Sequence, residues 1–138
     1  MGALTSRPQV RKEAMLYAED LAEGQQFQLG EYTISEAEIL QFARQYDPVP
    51  LHTDPEAAAA GPFGGLIASG FNTIAIYQRL IVEAVWSKVA AIVGRSLEIR
   101  LPAPVRPGTK LTGRSEVQKI TLRPERRDAV AIFRTELT

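Results

Sequence analysis

The chain has 138 residues, 45% of them hydrophobic and 23% charged, the profile of a globular protein with a single core. Its 16 basic and 16 acidic residues cancel, which removes the electrostatic case for nucleic acid or an anionic membrane as partner. Cysteine is absent and histidine occurs once, so disulfides, thiolate chemistry and a multi-histidine metal site within one chain are excluded.

Residues 1–14 are polar and predict a flexible N-terminal segment ahead of a domain spanning 15–138. No apolar leader and no run of about 18 apolar residues is present, so neither a signal peptide nor a transmembrane helix is expected. A cytoplasmic location fits that reading and the lack of cysteine. Gln26–Thr33 alternates Phe27 and Leu29 and predicts a strand, with Gly30 as a bulge. Ser35 and Glu38 form a capping-box pattern before a helix whose apolar stripe is Ile39, Leu40, Phe42, Ala43 and Tyr46. That helix should end near Tyr46 or Asp47, because Pro48 follows.

The segment Tyr46-Asp47-Pro48-Val49-Pro50-Leu51-His52-Thr53-Asp54-Pro55 holds the lone histidine. His52 follows Asp47 by five positions in a proline-stiffened loop that is not expected to take up regular structure. An imidazole beside a carboxylate is suited to moving protons near neutral pH. Asp54 before Pro55 reads as the cap of a short helix through Ala60, and Gly61-Pro62 ends it. Gly64-Gly65 then reads as tight backbone packing rather than a phosphate cradle.

A second helix is predicted from about Ser69 to Lys88, with Ser69 as its cap or as a polar lining residue. Asn72, Arg79 and Glu83 form its narrow polar stripe, and Phe71, Ile74 and Tyr77 belong to an apolar face. A helix apolar over most of its circumference belongs inside a core, with a sheet around it. Leu97, Ile99 and Leu101 alternate with polar residues and predict a half-buried strand. A strand over Lys110–Thr121 interrupted by Gly113, a charged hairpin at Arg123–Asp128 and a last strand over Ala129–Leu137 complete the chain. The hairpin arginines Arg123, Arg126 and Arg127 read as a solvated tip. The fold class is α+β, an antiparallel sheet wrapped around a long buried helix.

With these elements in place, the chain resembles the MaoC-like dehydratases, single hot-dog domains related to (R)-specific enoyl-CoA hydratases. The resemblance runs from about Tyr17 to the C-terminus. It is carried by Asp47, His52 and Asp54-Pro55, joined to Gly64-Gly65-Leu66-Ile67-Ala68-Ser69-Gly70 at the entry to the long helix. It implies that Asp47 and His52 are the catalytic pair and that the Gly70 N–H serves as oxyanion hole. Val49, Gly65, Ser69, Phe71 and Asn72 are the candidates for substrate contact.

The implied activity is reversible addition of water to a 2-enoyl-CoA or the corresponding acyl carrier protein thioester. Coenzyme A would enter as part of the substrate, with no separate cofactor and no metal. A homodimer or higher homo-oligomer is implied as well. The alternatives are a hot-dog acyl-CoA thioesterase and a non-catalytic acyl-binding or partner subunit. Two positions depart from the family pattern. Val49 stands where (R)-specific hydratases place asparagine, and an apolar side chain cannot hydrogen-bond water or substrate. The family also has one more strand after the one over Ala129–Leu137, which a chain ending at Thr138 does not supply.

Overall fold

A computed structural model describes residues 15–138, so the flexible segment expected over 1–14 lies outside the described residues. Strand β1 (Gln26–Thr33) pairs antiparallel with β2 (Lys110–Arg123), and β2 pairs antiparallel with β3 (Asp128–Leu137). The described sheet therefore has the order β1-β2-β3. The register between β1 and β2 slips between Leu29 and Tyr32, around the expected bulge at Gly30. Gly113, expected to interrupt its strand, instead sits within a continuous β2, opposite Leu29 on one side and Leu137 on the other. A Cβ there would run into the Glu136 carbonyl oxygen and come within 2.7 Å of Leu137 Cδ2. Glycine is needed at this point for close approach, and it breaks nothing.

The charged hairpin is present as a 3-10 turn, Pro124–Arg126, followed by Arg127 in the left-handed region at φ 54°. Arg123 clamps Asp128 across it with Nε–Oδ1 and Nη2–Oδ2 bonds of 2.7 and 2.8 Å. Such a two-pronged pair fixes the strand ends that flank the turn.

Helix α1 (Glu36–Tyr46) starts at Ser35, whose hydroxyl accepts from the Glu38 N–H at 3.1 Å. The reciprocal bond of the expected capping box does not form. The Glu38 carboxylate accepts instead from the Tyr32 hydroxyl at 2.8 Å, tying α1 to β1. Tyr32 offers this carboxylate a phenolic O–H, and a hydrogen bond to a charged acceptor is among the stronger kinds. The helix ends at Tyr46, as the following Asp47-Pro48 requires.

The connection after it differs from the expected irregular loop. Pro50–Thr53 is a single turn of helix, α2, and Pro55–Ala60 is α3. Proline stands first in each, where its missing N–H is harmless and its fixed φ already suits a helix. Asp54 caps α3 as predicted, its Oδ1 accepting from the N–H groups of Glu56 and Ala57.

Helix α4 (Gly70–Ala84) is shorter than expected, with a 3-10 turn at Trp86–Lys88 in place of its last turn. It packs on β1, and Ile76, Leu80 and Ile81 join Leu29, Ile34, Ile39 and Leu111 in the core. Each such side chain contributes roughly 1.5–3 kcal/mol when fully buried. Trp86 meets Phe133 edge-on at 4.7 Å, which brings β3 to the same core.

The sheet packs on α4 as expected, but the helix is buried on one face only, a correction to its expected burial over most of its circumference. Phe71 is 69% exposed, and Val82 and Ala75 also face outward. Asn72, grouped with Arg79 and Glu83 on the narrow polar stripe, is buried, while those two are exposed. The sheet lies against one face of the helix, so the opposite face stays open.

The predicted strand over Leu97–Leu101 is also overturned. Residues 91–104 form no strand and are exposed throughout, with Val93 and Leu97 exposed by 87% and 63%. The alternation is real, but no described strand pairs with the segment, and an unpaired extended chain has nothing to bury its apolar face against. Among the described residues no helix is long and apolar enough to cross a membrane.

Candidate active site

Three short elements bring their side chains together where α1, α2 and the entry to α4 meet. Asp47 is the residue after α1, at φ −151° and ψ 67°. Its N–H bonds the Ala43 carbonyl at 2.8 Å, and its own carbonyl accepts from the Val49 N–H at 2.8 Å. These two backbone bonds hold the turn that aims the carboxylate. His52 sits inside α2 and is only 9% exposed. Its Nδ1 lies 2.7 Å from the Ile67 carbonyl oxygen. A carbonyl only accepts, so Nδ1 carries the hydrogen and Nε2 is the nitrogen left for chemistry.

Nε2 faces Asp47 Oδ2 at 3.5 Å. This separation leaves room for a shared proton to tighten the contact as charge develops. Asp47 Oδ2 is fixed from the other side by the Ser69 hydroxyl, which donates to it at 2.6 Å. Ser69 is fully buried and also caps α4, accepting from the Phe71 N–H at 3.3 Å. One oxygen thus starts a helix and orients a carboxylate.

The strand-like entry to α4 is pinned by backbone bonds. Ile67 N–H donates to the Leu51 carbonyl at 3.2 Å, and Ala68 N–H donates to the Val105 carbonyl at 2.8 Å. The Gly70 N–H, in the first turn of α4, has no acceptor among the described residues. It stands at the positive end of the helix dipole. A Cβ at Gly70 would collide with Leu101 Cδ1, so the Leu101 side chain lies over this turn.

The sequence-predicted residues divide accordingly. Asp47, His52 and Ser69 are brought into contact, with Gly70 next in the chain. Val49 caps α2 through its carbonyl, which accepts from the His52 and Thr53 N–H groups and from the Thr53 hydroxyl, while its side chain is half exposed. Gly65 lies elsewhere, 3.5 Å from Arg106 Nη1 as measured from a Cβ built on it. Its neighbour Gly64, at φ 65°, takes the left-handed turn, and Arg106 Nη2 ties the loop down at the Phe63 carbonyl, 2.7 Å away. Tight packing does not account for this pair of glycines: one supplies a turn and the other has room. Phe71 points outward.

Sequence reasoning missed Ile67, which sets the histidine tautomer. Its contribution is a carbonyl oxygen, which every residue has, so no side-chain pattern marks it.

With fold and geometry in hand, the comparisons are consistent with one another. The sequence pattern of the MaoC like domain matches residues 20–134, so the chain belongs to the MaoC-like dehydratase family. A solved MaoC-like dehydratase from Rhodospirillum rubrum superposes with a TM-score of 0.83 at 38% identity, over 89% of this chain and 85% of that one. An (R)-hydratase from A. caviae involved in PHA biosynthesis superposes at 0.63 with 29% identity, over 86% of this chain and 87% of that one. The 3-hydroxyacyl-thioester dehydratase Z of Mycobacterium tuberculosis is 41% identical over 91 residues, 62% of this chain and 58% of that protein. The chain spans about half the length of the curated relatives it matches. Its architecture, α4 packed on an antiparallel sheet, is the hot-dog type of these structural neighbours.

Proposed function

We propose that the protein is a hydratase/dehydratase acting on acyl thioesters, adding water reversibly across the Cα–Cβ double bond of a 2-enoyl-CoA or the equivalent carrier-protein thioester. The observation that carries this reading is the contact chain Ile67 carbonyl–His52–Asp47–Ser69 beside the free Gly70 N–H. In the hydration direction, His52 Nε2 takes a proton from water as the water oxygen bonds to Cβ. The electron pair of the double bond moves toward the thioester oxygen, where the Gly70 N–H stabilises the growing charge. A preorganised donor of this kind contributes about 3 kcal/mol. Cα then takes a proton from the His52–Asp47 pair. Dehydration is the same path reversed.

The substrate carrier and the partner follow from the same reading. The substrate is an acyl-CoA or acyl carrier protein thioester, and coenzyme A comes and goes with it. The protein works as a homodimer. The exposed Val93, Leu97, Ile99 and Leu101 supply a large apolar strip, and the backbone between Ala90 and Val105 has few bonds of its own. A second copy is the self-complementary surface that covers such a strip.

The test is loss of the conjugated enoyl absorbance when the purified chain is mixed with crotonyl-CoA. Hydration should be measurable in the parent. It should fall by at least about a hundredfold in Asp47→Asn and His52→Ala, with melting temperatures near that of the parent. Release of free coenzyme A without a hydroxyacyl product would instead assign a thioesterase. No reaction in the parent, together with tight pairing to another hot-dog chain, would assign a partner subunit.

A further inference from the structure

A second polar group sits on the face of α4 that begins at Ser69, and nothing in the proton-transfer machinery uses it. Asn72 is only 5% exposed, and its Nδ2 is buried with no acceptor among the described residues. It lines a cleft of about 330 Å3 between α1 and α4, together with Tyr32, Glu38, Phe42, Tyr46 and Arg79. Tyr46, the last residue of α1, immediately precedes Asp47 in the chain, while the acid/base pair itself is not part of the lining. Ser69, Asn72, Ile76 and Arg79 follow one another at helical spacing and lie along one side of α4. Asn72 therefore stands about one turn, roughly 5 Å, beyond the serine that holds Asp47.

A buried N–H without an acceptor is unfavourable, and a plain alkyl chain laid in this cleft would leave it so. An acyl chain carrying an oxygen would satisfy it. The lining includes Tyr32 and Glu38, hydrogen-bonded to each other, and Arg79, paired with Glu83 at 3.0 Å. Two carboxylates against one guanidinium leave this region net negative, which favours a neutral oxygen over an ionised one. We propose that the acyl part of the substrate bears a hydrogen-bond-accepting oxygen beyond the reacting carbons, and that Asn72 Nδ2 recognises it. This specificity rests on the hydratase reading above, since it places the reacting carbons at Asp47 and His52.

The experiment is calorimetric binding of three unreactive thioesters, butyryl-CoA, 4-hydroxybutyryl-CoA and succinyl-CoA, to the parent, Asn72→Leu and Asn72→Asp. Crotonyl-CoA hydration is followed beside it. The parent should bind 4-hydroxybutyryl-CoA about tenfold more tightly than butyryl-CoA, the worth of one good net hydrogen bond. Asn72→Leu should erase that ratio while melting no lower than the parent. Asn72→Asp keeps the shape but removes the donor, and should erase it too. A preference for succinyl-CoA over 4-hydroxybutyryl-CoA would overturn the assignment of a neutral oxygen. A ratio unchanged in either folded variant, or a parent that prefers butyryl-CoA, would overturn the inference even if crotonyl-CoA is hydrated. Asn72-dependent binding without turnover would overturn the reaction and leave the recognition standing. No binding of any of the three would overturn both.

Discussion

The Ser69 hydroxyl donates to Asp47 Oδ2 at 2.6 Å, joining residues 22 positions apart, and accepts the Phe71 N–H with the same oxygen. Ser69→Ala therefore removes a helix cap and a carboxylate anchor together. The loss of the cap should cost about 1 kcal/mol in urea or thermal unfolding. Turnover should drop by about tenfold or more, because Asp47 has lost the donor that orients its carboxylate. Ser69→Thr, which keeps the hydroxyl, should restore the rate. A variant that loses stability but keeps the parent turnover would reduce Ser69 to a cap.

Gly70→Ala tests the first turn of α4. The new methyl meets Leu101, the tip of a side chain that is itself half exposed and able to move. Folding should therefore suffer by less than about 1 kcal/mol, while kcat falls as the N–H is displaced from its aim. Adding Leu101→Ala should relieve the collision and recover part of the rate. No rate change in Gly70→Ala would remove the amide from the mechanism.

Gly113→Ala should behave in the opposite way. Its methyl would meet backbone, the Glu136 carbonyl, which cannot step aside without opening the β2–β3 ladder. A destabilisation of about 1–3 kcal/mol is expected from unfolding curves, with little effect on the activity per folded molecule.

Tyr32 should titrate above its ordinary value of 10.0, first because its hydroxyl donates to Glu38, then through burial and the Glu38 charge. A raised phenol in the folded state means that its contribution to stability is complete below the unfolded value and fades as pH climbs through the folded one. Phenolate absorbance titrated against pH, parent minus Tyr32→Phe, should isolate one late component. A component at or below the ordinary value would contradict the bond. Tyr32→Phe should also cost about 1 kcal/mol, since it cuts the tie between β1 and α1.

The strip at residues 91–104 predicts the assembly. Sedimentation of the parent should give a dimer, and Leu97→Lys combined with Ile99→Lys should shift it toward monomer at micromolar concentration. A parent that sediments as a monomer would leave the strip without the partner assigned to it.

What could be read from residues alone was chiefly what is local. The caps at Ser35, Asp54 and Ser69 and the end of α1 before Pro48 depend on neighbours a few positions away, and all are present. The approach of His52 to Asp47 was legible from spacing and family likeness together. What escaped depends on distant packing. Glu38 was diverted from its cap by a tyrosine on the adjacent strand. Asn72 was grouped with Arg79 and Glu83 because helical periodicity sorts residues by polarity and not by depth, and of the three it alone is held inside. The alternation of Leu97, Ile99 and Leu101 describes two faces of an extended chain but carries no information on whether a partner strand stands beside it.

The imidazole of His52 takes its orientation from a peptide group at position 67, not from another side chain. Any amino acid at that position offers the same carbonyl oxygen, and any but proline keeps the N–H that bonds Leu51. Mutational drift at 67 can therefore reshape the surrounding apolar wall while the imidazole ring keeps its bearing, so long as the backbone stays where Leu51 and Val105 hold it. In such a design, selectivity and reactivity can evolve at separate rates.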